Sequence, residues 1–491
     1  MECGGQGCQV CVDSSSSCSS SSRRAASSSW WQAKVCCKCK EAPAQVAANQ
    51  TESLCAACLN TSLFSKFKTA INTHELIQPS HRVLLAFSGG PSSRVALEYL
   101  LEIREKAQRD AMHSSEGSAR VFGFGVAFVD ESSAIPLAPS NSEAMCQELR
   151  AIVMEGEKRP DEFLNIPVAS VYSEAELDVV GVYGLAHSNR EERLQNLLKS
   201  VTDPTGKEDL LEHLRMQALQ QAARKHGYTR LVLGLSTSRI AVKVISETSK
   251  GCGFSFPAGI QYYDARWSVP VVLPLRDCVA KELVLLCHFR NLKWVFIPTL
   301  STLTLPQRTI NSVSASFVST LQEDNPSRER TIMRTAAKLQ PFSFNRATRF
   351  QGLTSNRKGT NVLTLNGVQD MDDTMIESLC RLCCAPLNPH ESTGTLFLPQ
   401  VLEPSKQQEA MSTTRCTVLA STFWEKCCHC CHYQILQQDG LDRTHKLLPH
   451  SVKDSEFVNQ KIKEMWMRSE ISDCLLSDSD DDDDDDGGAV T

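Results

Sequence analysis

Between His81 and Phe289 the sequence alternates short apolar runs with stretches of helical period, and this constrains the fold more than any other feature. Arg82 to Ser88 reads RVLLAFS, short enough for a buried strand, and it ends on Gly89 and Gly90. Ser93 to Lys106 follows, with Val95, Ala96, Tyr99, Leu100 and Ile103 on the apolar faces of a predicted helix. Arg120 to Asp130 predicts a second strand, Ser142 to Glu155 a helix, and Val168 to Tyr172 a third strand. A helix over Asp209 to His226 closes on Gly227, where a helix C-terminus favours glycine. Strands at Arg230–Gly234 and Val271–Leu273 alternate with helices at Ile240–Ser249 and Val279–Phe289. Helices of this length between strands leave no tight hairpins. The predicted class is therefore α/β, a doubly wound parallel sheet with right-handed crossovers.

Cysteine is the second informative residue. The chain has 22, many in pairs two residues apart. Cys36-x2-Cys39 is followed after fifteen residues by Cys55-x2-Cys58, the spacing of a four-thiolate zinc site. Cys37 adjoins Cys36, but only Cys36 keeps the two-residue spacing to Cys39. A second region offers Cys380-x2-Cys383 and Cys427-x2-Cys430 as ligands, with Cys384, Cys428 and Cys431 as alternates. The gap between those two pairs is long, but metal binding itself stabilises closure of such a loop. Two structural zinc sites are predicted.

The remaining composition sets the boundaries. Residues 1–29 are serine-rich with little to bury, and predict a disordered arm. The units that follow are a four-cysteine module at 30–75, the α/β domain at 76–300, a basic helical region at 301–370, and a second cysteine-rich module at 371–440. Residues 441–491 form a C-terminal segment with an acidic tail. Asp478 and Asp480 to Asp486 supply eight of the charges behind the net −6, so the body of the chain carries +2 and any polyanion must meet local patches. Such a patch runs from Arg328 to Lys358, with eight cations against Glu329 alone. Arg330, Arg334 and Lys338 recur every four residues and would line one face of a helix, with Arg346 and Arg349 further along. These five are the candidate RNA-phosphate contacts. Phe342, Phe344 and Phe350, among the arginines, fit core packing better than base stacking. No apolar run reaches the roughly 18–20 residues of a membrane span, and no signal-peptide pattern opens the chain, so a cytoplasmic protein is expected.

The turn Ser88-Gly89-Gly90-Pro91-Ser92-Ser93 stands where open α/β folds bind phosphate, after the first strand and before its helix. It resembles the PP-loop of the ATP pyrophosphatases, Ser-Gly-Gly-x-Asp-Ser. The segments AFVDE (Ala127 to Glu131), LVLGLSTSR (Leu231 to Arg239) and VVLPLRDCVAKEL (Val271 to Leu283) resemble the tRNA 2-thiolation branch of that family. Together with the cysteine modules, they are similar to the cytoplasmic tRNA 2-thiolation protein 2 family from about Cys36 to Leu476. That resemblance implies a heterodimer with a catalytic paralogue, cytoplasmic tRNA 2-thiolation protein 1. It also implies sulfur taken from a thiocarboxylated ubiquitin-related modifier and placed on the wobble uridine of lysine, glutamate and glutamine tRNAs, towards 5-methoxycarbonylmethyl-2-thiouridine.

Departures from the active pattern bear on chemistry. Ser92 replaces the signature's aspartate, and Leu235-Ser236-Thr237-Ser238 stands where active thiolases carry a histidine and acids. Val201 to Gln221, next to the family's catalytic cysteine position, holds no cysteine. Sulfur transfer needs a thiolate. Of Cys252, Cys278 and Cys287, the last two read as core and only Cys252 as a loop thiol. The turn residues Ser88, Gly89, Gly90, Ser92 and Ser93 therefore predict a degenerate phosphate site in which ATP binding is open, with no catalytic residue assigned. Two other readings compete with an accessory subunit. One is an independently active ATP-dependent tRNA sulfurtransferase; the other is a zinc-ribbon interaction module with no RNA role.

Overall fold

The computed structural model describes residues 35–47, 53–113, 121–135, 139–172, 190–300, 309–325, 327–339, 341–346, 379–388, 423, 426–435, 444–445 and 447–449. The serine-rich arm and the acidic run lie outside the described residues, as do Arg349, Phe350, Arg357 and Lys358. Two short strands, β1 (Val46–Ala47) and β2 (Ser53–Leu54), pair antiparallel and lead into α1 (Ala56–Thr73). Leu59, Leu63, Phe67, Ala70 and Ile71 repeat at helical spacing and are all buried. Burying each of the large ones stabilises by roughly 1.5–3 kcal/mol, which holds α1 on the domain that follows.

That domain is built from β3 (Arg82–Ala86), α2 (Pro91–His113), β4 (Gly123–Asp130), α3 (Pro139–Met154), β5 (Glu162–Pro167), α4 (Arg190–Ser200) and α5 (Pro204–Lys225). It continues through β6 (Arg230–Leu233), α6 (Thr237–Ser249), β7 (Tyr263–Asp264), β8 (Val271–Val272) and α7 (Ala280–Phe289). The six strands lie in the order β5-β4-β3-β6-β8-β7, parallel throughout except for β7, which pairs antiparallel with β8. Val83, Leu84 and Leu85 on β3 are wholly buried. Leu84 faces a core shared with α5, while Val83 and Leu85 face one shared with α1, α2 and α7. Successive side chains point to opposite faces, so a strand covered on both sides needs an uninterrupted apolar run. The α/β parallel sheet read from the sequence is the fold observed.

The third strand differs from its prediction. It is Glu162–Pro167, and Val168–Val171 is a 3-10 turn. β5 pairs only with β4 at the sheet's edge. An edge strand half open to water tolerates Glu162 and Asn165, so it carries no continuous apolar run to betray it.

Beyond the sheet, α8 (Ile310–Asp324) and α9 (Arg328–Ala336) pack on α6. Met333 and Ala336 of α9 are buried with Ile240 and Val244 of α6. The second cysteine module ends in the short helix α10 (His429–Gln434), whose Cys430, Cys431 and Ile435 join the core on the α5 side. Gly206, in the first turn of α5, makes that docking possible: a Cβ there would lie 2.1 Å from the Gln434 carbonyl oxygen. The Tyr172 hydroxyl donates to the Leu447 carbonyl at 2.9 Å on the same side.

Gly206→Ala tests this contact by sign. Helix propensity alone would stabilise by about 1 kcal/mol, whereas displacing a backbone carbonyl should destabilise by about 1–3 kcal/mol. A lowered melting temperature is expected. An unchanged or raised one would show that α10 does not sit on Gly206.

Candidate functional site

The β-strand order reverses beside β3. Chain direction runs outward through β4 and β5, then returns to β6 on the opposite side of β3. The crevice at the carboxyl ends of β3 and β6 is therefore the switch point at which open α/β sheets bind ligands. The glycine turn enters it from β3. Gly89 has φ +77°, in the left-handed region, and a Cβ there would meet Leu149 and Ile297 at 3.0 and 3.1 Å. Its carbonyl accepts from the Val295 amide at 2.9 Å, so the segment after α7 closes over one side of the turn. Gly90 is more open, with only Ser88 Oγ, at 3.8 Å, near a Cβ placed there. Ser93 is buried, donates to the Gly90 carbonyl at 2.9 Å and lies 3.3 Å from Ser88 Oγ. Ser92 is half-buried. Gly234, after β6, allows the approach from the other side: a Cβ there would stand 3.0 Å from the Ser93 backbone.

Hydroxyls fill the second half of the crevice. Ser236 and Thr237 are fully buried; Ser236 caps α6 by accepting from the Arg239 amide, and Thr237 donates to the Arg276 carbonyl at 2.7 Å. Cys278 and Cys287 are both buried, and burial pushes their thiols up to about 12 and about 11. Neither presents a thiolate at neutral pH. Cys252 lies between Gly251 and Gly253 and packs on the core beside Cys430, whose thiol its own contact raises.

The cysteine modules form two four-thiol clusters built to one plan. In the first, the sulfurs of Cys36, Cys39, Cys55 and Cys58 all lie within 4.8 Å of one another. In the second the same holds for Cys380, Cys383, Cys428 and Cys431. Each begins with a knuckle in which the residue after the second cysteine is left-handed, Lys40 at φ 59° and Cys384 at φ 56°. Each knuckle is closed by the amide of its first cysteine, which bonds to the Ala42 carbonyl in one and the Ala385 carbonyl in the other. Each ends where a helix begins: Cys55 is the N-cap of α1 and Cys428 the N-cap of α10, with the last ligand three residues on. Cys39–Cys55 and Cys380–Cys431 are 3.9 Å apart and Cys383–Cys428 3.6 Å. A tetrahedral ion bound at about 2.3 Å puts its sulfurs about 3.8 Å apart, so both clusters fit a single such ion.

Electrostatics give the same answer. The backbone amide of Cys39 chiefly holds the Cys36 thiol down, to about 6, and the amides of Ala42 and Glu41 lower Cys39. Burial pushes Cys58 up to about 12, with its neighbouring cysteines adding to the rise. In the second cluster burial opposes ionisation of Cys380, but hydrogen bonds from its neighbouring cysteines, Cys383, Cys428 and Cys431 among them, hold it well below the ordinary thiol value. Cys428 and Cys431 are raised in turn, foremost by the bond to Cys380. One thiolate in so small a space keeps its neighbours protonated, and a divalent cation releases all four.

The expected pair Cys427 and Cys430 is corrected to Cys428 and Cys431. Because Cys428 is the N-cap of α10, Cys428 and Cys431 lie about one turn apart, both close to Cys380. Cys427 donates to the Phe423 carbonyl and Cys430 to Gln434 Oε1, each at 3.6 Å. The helix-opening position, already visible at Cys55 and Cys58, was the signal that could have fixed the choice.

The basic residues divide. Arg330 and Arg334 lie on α9, and Lys338 continues their line just past its C-cap, Ala337. All three line one cavity. Arg346 is exposed and ends a short 3-10 turn elsewhere, and Arg349 lies outside the described residues. Phe344 is buried and stacks on Phe342 at 5.2 Å, which assigns both to packing.

No protein-family model matches the chain. Cytoplasmic tRNA 2-thiolation protein 2 of Arabidopsis thaliana is 38% identical over 453 residues, covering 91% of this chain and 92% of its own. The chain belongs to the cytoplasmic tRNA 2-thiolation protein 2 family. The Homo sapiens protein of that family is 25% identical over 91% of this chain and 94% of its own length. Among solved structures, the U34-tRNA thiolase NcsA from Methanococcus maripaludis with its [4Fe-4S] cluster matches 61% of this chain and 85% of that chain, at 14% identity and TM-score 0.42. The relatives are named as cytoplasmic proteins, and among the described residues no helix is long and apolar enough to cross a membrane. In this member of the cytoplasmic tRNA 2-thiolation protein 2 family the PP-loop-like turn thus lies at the switch point of its parallel sheet, flanked by two four-cysteine modules.

Metal analysis of single variants distinguishes the ligand sets. Cys428→Ser should lose about one ion per chain, as should Cys36→Ser, while Cys427→Ser should keep the full content. Loss on changing Cys427 but not Cys428 would overturn the assignment.

Proposed function

We propose that the protein is an accessory, non-catalytic subunit of the cytosolic machinery that 2-thiolates the wobble uridine of lysine, glutamate and glutamine tRNAs. In this reading it pairs with its catalytic paralogue, cytoplasmic tRNA 2-thiolation protein 1, which takes sulfur from a thiocarboxylated ubiquitin-related modifier. The observation that carries the proposal is the lining of the switch-point crevice. Ser88, Ser92, Ser93, Ser236 and Thr237 stand there, and the nearby Cys278 and Cys287 are buried thiols held protonated. Hydroxyls and a glycine turn suit the binding of a phosphate; they offer neither a persulfide carrier nor a carboxylate to hold a metal–nucleotide.

Both four-cysteine clusters are assigned structural zinc. Their short sulfur–sulfur distances fit one tetrahedral ion and leave no space for a cluster of several irons. Zinc would bring four thiolates together and fix each module's two halves; the chain's own residues orient them through the helix caps at Cys55 and Cys428.

Mass spectrometry of nucleosides from cells lacking this protein, with the paralogue still expressed, is the test. A fall in 2-thiouridine of tenfold or more is expected, together with no uridine-dependent pyrophosphate release by the purified chain alone. Unchanged 2-thiouridine would remove the chain from the pathway. Turnover by the isolated protein would instead make it a sulfurtransferase in its own right.

A further inference from the structure

A cavity of about 800 Å³ opens between three parts of the chain that are distant in sequence: α1 of the first cysteine module, the loop from β8 to α7, and α9. Five cations reach it, Lys66, Arg276, Arg330, Arg334 and Lys338, against two acids, Asp277 and Glu282. Both acids are already engaged. Glu282 is buried, with Arg330 at 2.6 Å and Lys66 at 3.6 Å. Asp277 accepts from the Tyr262 hydroxyl and lies 3.9 Å from Arg276. Arg276 is itself buried, held by the Ile260 carbonyl and stacked over Tyr262. The inner cations are thus fixed in place. Arg334 and Lys338, on the exposed side, have no ion-pair partner among the described residues.

The remaining wall is apolar, with Leu59 and Leu63 from α1 and Met333 from α9, and Thr237 brings the end of the switch-point crevice to the same space. A net positive cavity repels metal cations. Arg334 and Lys338, four residues apart on the exposed side, are spaced to meet neighbouring phosphates, with Arg330 held behind them on Glu282. Leu59, Leu63 and Met333 are themselves buried, so the cations and not the apolar wall carry the recognition. We infer that this cavity is a phosphate-binding site for a nucleotide chain or nucleotide polyphosphate, formed jointly by the first cysteine module and α9. The inference rests on the RNA role proposed above for its expected ligand, and it adds Lys66 and Arg276 to the contacts read from the sequence. It also gives the first cysteine module a task beyond structure: α1 carries one wall of the site, so whatever holds α1 holds the site.

The test uses the full-length protein and a fluorescently labelled tRNA transcript, with affinity measured by anisotropy over a series of KCl concentrations. Each lost phosphate contact lowers the slope of log K against log salt by about 0.7–0.9. The double variant Arg334→Ala, Lys338→Ala should bind about tenfold or more weakly and lose between one and two from that slope. Arg109→Ala, an exposed cation on α2 outside the cavity, should behave as wild type, and matching circular dichroism and melting curves exclude misfolding. Inorganic tripolyphosphate, titrated calorimetrically, separates the sources: heat lost in the double variant while its RNA slope stays normal assigns the site to a free polyphosphate. An unchanged RNA slope with no tripolyphosphate binding would overturn the inference. The two readings fail separately. Cells that keep 2-thiouridine without the protein refute its role in thiolation and leave the cavity standing, whereas a normal slope with lost thiolation does the reverse.

Discussion

Four thiols confined within 4.8 Å of one another cannot all ionise unless a cation joins them, and this constraint acts twice in the chain. Each cluster brings together two segments separated in the sequence, 36–39 with 55–58 and 380–383 with 428–431. The second pair closes a loop of about forty residues, whose closure entropy grows slowly with length and is small beside the free energy of a structural metal site. Neutralising the thiolates would therefore join the two halves of each module, while α1 and α10 keep their own apolar packing against the domain. The contacts run through Leu59, Leu63 and Phe67 of α1 on one side and through Gly206 of α5, beneath α10, on the other.

The centre of the domain keeps the geometry of a nucleotide-binding fold. The strand reversal beside β3, the left-handed Gly89 and the close approach allowed by Gly234 are all present. The groups around that geometry are quiet: serines and a threonine bonded to nearby backbone, and thiols that burial keeps protonated. Positive charge has accumulated instead one element away, on α9 and at Arg276. A glycine turn lined by hydroxyls fits the accessory role proposed above.

Much of this was legible in the sequence because it rested on local, repeating signals. β3, β4 and β6 announce themselves as unbroken apolar runs because both their faces are covered. The first cluster followed from cysteine spacing alone. β5 did not, since its pairing on one side only lets polar residues stand in it. The second cluster was placed one residue out of register, because the doublets Cys427–Cys428 and Cys430–Cys431 offer two sets at equal spacing. Only the start of α10 breaks that tie. Lys66 and Arg276 could not be read as site residues at all; they stand 210 positions apart and meet only through the packing of α1 and α7.

Central to the proposed reading is that a metal in the first cysteine module would hold in place the surface proposed to bind RNA. Stripping the metal with a chelator while following tRNA affinity and thermal unfolding on the same sample tests it most directly. The account predicts that affinity and melting temperature fall together and that both return when zinc is restored. A metal-free chain that binds tRNA as tightly as before, and melts at the same temperature, would contradict it.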